Sequence, residues 1–199
     1  MSDEPEVDDR SETVSRARDA ALHLLSFRAR SVTEMERRLR KKDFDESVVS
    51  EVVTRLLDLG YLDDREFARQ FLEERLRRRP RGPFALVQEL QKRGVDRGLA
   101  EEVLDALMAE REIDEADLAR STARRWLSRQ SRKVVVVLES GGSPSSPDTT
   151  GSDPADGDAA REAFRKARRR LYGHLERKGF SRGVIREVVR DLLDEMEGG

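Results

Sequence analysis

The stretch LQKRGVD at residues 90–96 decides the fold, because the chain repeats its pattern as LRKKDFD at 39–45 and as LERKGFS at 175–181. Each copy begins with a leucine and continues through basic residues. It ends with a turn residue, an apolar residue and a residue that can cap a helix. Internal repetition of this kind is typical of tandem helical arrays.

Apolar residues with helical spacing follow each copy, and they predict a helix after each turn. These residues are Val48, Val49, Val52, Val53, Leu56 and Leu57, then Leu99, Val103, Leu104, Leu107 and Met108, then Val184, Ile185, Val188, Val189, Leu192 and Leu193. We therefore expect an all-α protein built of three tandem three-helix repeats, at residues 13–60, 61–111 and 112–199. Each repeat buries its apolar stripe against its own helices and its neighbours.

Local signals place several helix ends. Ser31 with Glu34 three residues later predicts a capping box, and Asp63 predicts a second N-cap. Asp43 should adopt the left-handed conformation that ends a helix. Pro83 suits the first turn of a helix, where its missing N–H needs no partner.

Two segments differ from the rest in composition. Residues 1–12 carry six acids and one base, and we expect a disordered acidic tail there. Residues 134–160 carry five acids and no base, and we expect a flexible insertion within the third repeat. Its start, residues 134–138, is a β-branched run that also fits a short strand. The net charge is −2, so the remaining segments together carry +8.

Composition argues against most enzyme classes and against a membrane protein. The 199-residue chain has no cysteine and only two histidines, His23 and His174, without metal-ligand spacing. It has no Gly-rich phosphate loop, and Asp63 and Asp64 fit helix capping better than magnesium binding. We expect no catalytic residue, cofactor or metal. A cytoplasmic monomer without a membrane partner is expected, since no apolar run approaches the length of a bilayer span.

Basic residues occur in clusters, which predict contact with phosphate groups. The candidate binding residues are Arg37, Arg38, Arg40, Lys41 and Lys42; Arg75, Arg77, Arg78, Arg79 and Arg81; Lys92 and Arg93; and Arg165, Lys166, Arg168, Arg169 and Arg170. Bases near a helix C-terminus also complement its dipole, which accounts for one or two bases per helix rather than five. Binding to acidic protein surfaces and simple solvation of these faces stay open as alternatives.

Several stretches resemble the RecX family of bacterial RecA regulators. They include residues 20–31, residues 34–39, residues 82–90 with 92–95, and the block LGYLDDREFA at 59–68. The resemblance covers about residues 17–130 and 161–195, and the 59–68 block with the flanking repeats makes it specific.

The resemblance implies an elongated, curved array of three-helix repeats that binds RecA and the groove of the RecA–DNA filament. Relatives limit filament growth, ATP hydrolysis, strand exchange and co-protease activity, which implies a role in DNA repair and the SOS response. No catalytic residue carries over. Asp43 stands where the family favours glycine, and the acidic tail and the insertion have no general counterpart.

Two other functional classes fit the same residues less well. A helix-turn-helix regulator of transcription would need a recognition helix facing base edges. The third helices instead place Glu51, Glu101, Glu102 and Glu187 outward, where phosphates would repel them. A helical scaffold that binds only proteins would show no salt-dependent affinity for DNA.

Overall fold

The computed structural model describes residues 5–78, 81–141 and 154–197, and every regular element in these ranges is an α-helix. The all-helical prediction is confirmed. The helices are α1 (Pro5–Phe27), α2 (Val32–Arg40), α3 (Glu46–Asp58), α4 (Asp64–Arg78), α5 (Pro83–Gln91), α6 (Arg97–Glu110), α7 (Glu115–Leu127), α8 (Arg132–Glu139), α9 (Pro154–Arg177) and α10 (Arg182–Glu197).

The chain forms two compact units, residues 1–74 with 87–107, and residues 75–86 with 108–199. In the first unit, α1, α2 and α3 contact one another around a core that contains Ala21, Met35, Leu39 and Leu56. Met35 and Leu39 are fully buried one helical turn apart, as the repeated leucine pattern predicts. Each such leucine contributes about 2 kcal/mol by leaving water.

The second unit contains four helices around one core, α7 to α10, where the sequence predicts three. The extra helix is α8, which begins after Ser131 and contacts both α9 and α10. Its Leu138 is fully buried in the core, and Val134 and Val137 pack against that core on the same face. The predictions of a flexible insertion at 134–160 and of an alternative strand at 134–138 are therefore wrong for residues 134–139. Tertiary packing has overridden the β-branched preference.

The remainder of the insertion divides into two parts. Residues 142–153 lie outside the described residues, so the prediction stands untested there. Residues 154–160 form the first two turns of α9, which is 24 residues long. The helix therefore begins within the segment for which the sequence predicts flexibility.

The N-terminal helix begins earlier than its sequence pattern predicts. Residues 1–4 lie outside the described residues, but α1 starts at Pro5, so residues 5–12 are helical rather than disordered. Proline suits this first position because its missing N–H would have no helical partner. Arg10 adds an ion pair of 3.2 Å to Glu51 of α3, and the partly buried Val14 packs on the core.

Ser31 and Asp63 cap their helices as the sequence predicts, whereas the predicted cap Asp45 makes no side-chain hydrogen bond at the start of α3. The Oγ of Ser31 accepts a hydrogen bond of 3.1 Å from the Glu34 amide. Oδ1 of Asp63 accepts from the amides of Arg65 and Glu66 at 2.8 and 3.1 Å. These contacts satisfy amide groups that have no helical acceptor.

The predicted capping box is only half formed. The Glu34 carboxylate does not return to the Ser31 amide but binds the guanidinium groups of Arg28 and Arg30. Burial alone would raise the pKa of Glu34, but hydrogen bonds and Coulombic attraction from Arg28, followed by attraction from Arg30, outweigh it and lower the pKa. Glu34 is therefore a buried carboxylate held by two cations at the start of α2.

The GYLDD block of 60–64 fixes three helix ends through its two aspartates and its glycine. Gly60 follows α3 with a left-handed φ of 71°. Asp63 caps α4, as described above. Oδ1 of Asp64 accepts a hydrogen bond of 2.8 Å from the Val32 amide at the start of α2. One short segment thus joins the end of α3, the start of α4 and the start of α2.

The basic turn after α5, residues 92–94, docks on the start of α2 in the first unit. The Ser31 hydroxyl donates to the Arg93 carbonyl, and the Thr33 hydroxyl donates to the Gly94 carbonyl at 3.0 Å. Gly94 has a φ of 88°, and a Cβ there would lie 2.3 Å from the Thr33 Cβ. No residue larger than glycine fits this contact without moving the helix start.

The basic turn after α9, residues 178–179, repeats this contact at the start of α5 in the second unit. The Gly82 amide donates to the Lys178 carbonyl at 2.9 Å. Gly179 has a φ of 84°, and a Cβ there would lie 2.4 Å from the Ala85 Cβ and 2.5 Å from the Ala85 nitrogen. In both docked turns, the residue before a second helix donates to the carbonyl that precedes a turn glycine. We call these contacts the second and third turn joints.

Candidate nucleic-acid interface

The first basic turn lies at the C-terminal end of α2 and carries five exposed cations. They are Arg37, Arg38, Arg40, Lys41 and Lys42. Their backbone is fixed by the fully buried Leu39 and by Asp43, which has the predicted left-handed φ of 62°. Phe44 packs back on the core as a helix-ending contact.

One of these five cations, Arg40, already forms an ion pair within the protein. Arg40 donates hydrogen bonds of 2.6 and 2.7 Å to the Glu46 carboxylate and lies 3.5 Å from Glu36. The hydrogen bond with Glu46 raises the pKa of Arg40 and lowers that of Glu46. Within the described ranges, Arg37, Arg38, Lys41 and Lys42 make no ion pair with a carboxylate. These four side chains, which we call the first-turn cluster, can therefore contact phosphates.

The equivalent bases of the second turn differ in their surroundings. Lys92 is exposed, but Arg93 is half-buried, and its guanidinium carbon lies 4.8 Å from the centre of the Phe71 ring. This distance is typical of a cation–π contact. The Arg93 carbonyl also accepts from Ser31, so Arg93 contributes to the second turn joint rather than to an open basic face.

The bases at the end of α4 are partly enclosed. Arg77 and Arg78 are exposed, whereas Arg75 and Arg81 are half-buried. Arg79 lies outside the described residues. This segment places the exposed guanidinium groups of Arg77 and Arg78 at the helix end.

The bases of α9 form the most continuous cationic face in the described part of the second unit. Arg165, Lys166, Arg168, Arg169 and Arg170 are all exposed. Ala167 and Leu171 are buried and hold the opposite side of the helix in the core. At 100° per residue, the five cations cover about 200° of the helix circumference.

The third helices carry carboxylates on their outer faces, next to exposed arginines such as Arg186 and Arg190 of α10. The exposed Glu51 and Glu102 pair with Arg10 and Arg65, and Glu101 pairs with Arg97 at 2.8 Å. Glu187 on α10 is exposed too. Carboxylates at these positions would repel phosphates, so α3, α6 and α10 do not fit the recognition helix of a helix-turn-helix protein.

Two family models match the chain. "RecX, first three-helix domain" matches residues 17–56, and "RecX, second three-helix domain" matches residues 63–104. The regulatory protein RecX of Corynebacterium efficiens is 33% identical over 184 residues, which cover 92% of this chain and 75% of the relative. The chain belongs to the RecX family. The RecX of Mycolicibacterium vanbaalenii is 32% identical over 98% of this chain and 93% of its own length.

Solved RecX structures have the same fold. The crystal structure of RecX from Lactobacillus salivarius matches with a TM-score of 0.64 at 24% identity, over 93% of this chain and 99% of that one. A second crystal structure of regulatory protein RecX matches with a TM-score of 0.70 at 20% identity, over 96% of this chain and 80% of that one. The family models and the relatives in sequence confirm the predicted resemblance to the RecX family.

The described residues contain neither a bilayer-spanning helix nor a metal-binding cluster. Among the described residues, no helix combines the length and the apolar composition that crossing a bilayer requires. The same residues contain no group of three or more His, Asp or Glu side chains placed to hold a metal ion.

Proposed function

We propose that this protein binds RecA and the RecA–DNA filament and lowers the ATPase, recombinase and co-protease activities of RecA, without catalysing a reaction itself. Membership of a family whose relatives are named regulatory proteins supports a regulatory role. The first-turn cluster supports contact with a nucleoprotein, because it offers four exposed cations without carboxylate partners among the described residues. That cluster is the observation on which the proposal depends most.

A filament offers the same phosphates and the same subunit surface many times over. Weak contacts along such a polymer add through effective concentration, so exposed cations on several helices suffice without one deep site. Guanidinium and ammonium groups bind phosphates regardless of base sequence. We therefore propose binding that depends on salt and on the presence of RecA, but not on DNA sequence.

The test replaces the four residues of the first-turn cluster together by glutamine. Glutamine removes the charges but keeps helix propensity, and it avoids the repulsion between glutamate and the C-terminal end of α2. On single-stranded DNA coated with RecA, the variant should need at least about tenfold more protein to halve ATP hydrolysis, if each lost phosphate contact contributes a few tenths of a kcal/mol or more. The salt dependence of log K for single-stranded DNA should fall by about three, since each contact contributes about 0.7.

A matched control removes four exposed cations that lie elsewhere in the second unit. They are Arg132, Lys133, Arg186 and Arg190. The control should inhibit RecA within twofold of the wild type, and both variants should unfold at the same urea concentration. Undiminished inhibition by the first-turn variant would refute the proposal that this cluster contacts the filament. A footprint on one duplex sequence without RecA would refute the proposed function itself.

A further inference from the structure

The second unit contains a cavity of about 420 Å³ where the end of α4, the helix α7 and the end of α9 meet. Four cations line it, namely Arg78, Arg125, Arg129 and Lys178. None of its lining residues that the structure describes is acidic. A concave surface of one charge sign focuses the electrostatic potential, so this cavity attracts anions.

A buried hydroxyl in its wall lacks a hydrogen-bond partner in the part of the chain that the structure describes. Thr122 on α7 is only 6% exposed, and its Oγ1 finds no hydrogen-bond partner among the described residues. The neighbouring Ser121 hydroxyl, by contrast, donates to the Leu118 carbonyl at 3.0 Å. Buried hydroxyls are nearly always hydrogen-bonded, so an acceptor that reaches the Thr122 hydroxyl from the cavity would supply the missing partner.

The rest of the wall consists of Gln130 and an aromatic pair. The rings of Trp126 and His174 lie 6.0 Å apart at 34°. Burial lowers the pKa of His174, and so does repulsion from Lys178, Arg177 and Arg129. The imidazole is therefore neutral at pH 7, and it can donate one hydrogen bond into the cavity.

We propose that this cavity binds a phosphate group, with Arg125, Arg129 and Lys178 as counter-charges and the Thr122 hydroxyl as a hydrogen-bond donor. Guanidinium groups match phosphate oxygens bidentately, and hydroxyl donors complete the coordination of such an anion. The phosphate can belong to a free nucleotide or to a nucleic acid. This inference does not rest on the proposed function, since the first-turn cluster lies in the other unit and contributes nothing to the cavity.

Trp126 makes the site directly observable, because it is the single tryptophan of the protein. Inorganic phosphate, titrated against chloride at constant ionic strength, should change the Trp126 fluorescence along a saturating curve. Bound phosphate should also raise the pKa of the His174 imidazole, measured by NMR. The only other histidine, the exposed His23 of α1, is the internal reference and should not respond.

A matched pair of variants on α7 separates a specific site from general charge. Arg125→Gln removes a lining cation, and it should weaken phosphate binding about tenfold, as expected for a charge-assisted hydrogen bond. Arg124→Gln removes the adjacent cation, which lies outside the cavity and pairs with Glu195 at 3.0 Å. It should change binding less than about twofold, because screened surface charges couple weakly.

The hydroxyl has its own pair of variants. Thr122→Val should weaken phosphate binding about fivefold, since it removes about 1 kcal/mol of hydrogen bonding at constant volume. Thr122→Ser should retain binding within about twofold, since it keeps the donor. The exposed Arg125 provides the test independently if Thr122→Val lowers the folded fraction.

Three further probes distinguish the sources of the phosphate. They are adenosine monophosphate, an oligothymidine with a 5′-phosphate, and the same oligothymidine with hydroxyl ends. Saturation by the mononucleotide alone identifies a free nucleotide, and a response to either oligonucleotide that Arg125→Gln weakens identifies a nucleic acid. No saturating response to phosphate beyond that to chloride, or equal losses in Arg124→Gln and Arg125→Gln, would overturn the inference. The first-turn variant should keep the Trp126 response, so the failure of either proposal can be distinguished from failure of the other.

Discussion

The second basic turn docks on the start of α2 and the third on the start of α5, whereas the first turn lies exposed. The residue at one equivalent position differs between the docked turns and the exposed one. Glycine occupies the docked positions 94 and 179, and aspartate occupies the equivalent position 43. All three residues have left-handed backbone, with φ of 88°, 84° and 62°. Since Asp43 adopts this conformation with a side chain, the conformation alone does not require glycine. The close approach of the preceding helix requires it.

The same difference separates structural bases from available ones. Arg93 and Lys178 are half-buried, and their carbonyls accept the hydrogen bonds of the turn joints. Lys41 and Lys42 belong to a turn for which no preceding repeat is described, and both are exposed. The repeated sequence therefore forms the same helices three times. Only the first copy of the basic turn, which is not docked on another helix start, keeps its bases available to a binding partner.

The largest expected effect comes from a substitution that breaks the third turn joint. Gly179→Ala should lower the free energy of unfolding by about 4 kcal/mol, because it adds left-handed strain and a Cβ only 2.4 Å from Ala85. Urea unfolding at pH 7 measures the change. Asp43→Ala at the exposed equivalent position is the control, and it should cost less than about 1 kcal/mol. Equal losses in both variants would mean that conformation rather than docking explains the glycines.

The next largest effect loosens the helix start on which the second turn docks. Glu34→Gln should cost about 3 kcal/mol at pH 7, because it leaves the buried Arg30 without its counter-ion. Since the folded state lowers the pKa of Glu34, its contribution is present above the unfolded value of about 4.3 and is lost as the pH falls through the lower folded value.

The measurement for this variant is urea unfolding of wild type and Glu34→Gln between pH 3 and pH 8. The difference in unfolding free energy should be constant near neutral pH and should shrink below about pH 4. A difference that grows on acidification would contradict the ion pair with Arg28 and Arg30.

A smaller effect removes the hydroxyl that serves both the cap and the joint. Ser31→Ala should cost about 2 kcal/mol, because it loses the Glu34 amide contact and leaves the Arg93 carbonyl without a donor. Thermal and urea unfolding measure the loss. Ser50→Ala on the exposed face of α3 is the matched control and should change stability by less than about 0.5 kcal/mol.

The smallest effect has the opposite sign. Asp43→Gly should raise the free energy of unfolding by about 0.5 kcal/mol, because glycine adopts the left-handed φ of 62° without the cost borne by aspartate. A loss of more than about 1 kcal/mol in urea unfolding would show that the Asp43 side chain makes a stabilising contact.

Local features of the fold were predictable from the sequence because they depend on near neighbours. Ser31 and Asp63 cap helices a few residues away, and Leu39 falls on a periodic stripe. The helix α8 was not predictable, since a run of four valines favours a strand until the core that receives Leu138 is known.

The sequence predicts which basic residues the candidate site contains, but not which of them are free to contact a phosphate. Sequence clustering identifies the basic residues, yet Arg93 is engaged by Phe71 and by Ser31, 22 and 62 residues away in the chain. The cavity around Thr122 joins residues from α4, α7 and α9, which no local pattern brings together. The sequence shows aspartate at position 43, where the other two turns have glycine. The structure explains this difference, because only the other two turns are docked against a helix start.

A double-mutant cycle between Thr33 and Gly94 tests the account most directly. In the wild-type background, Gly94→Ala places a Cβ 2.3 Å from the Thr33 Cβ, and it should cost about 3 kcal/mol or more in urea unfolding. In the Thr33→Gly background the colliding side chain is absent, so only the backbone cost of about 1–2 kcal/mol should remain. The account predicts a coupling energy of about 2 kcal/mol, and a coupling within error of zero would contradict the docking of the turns.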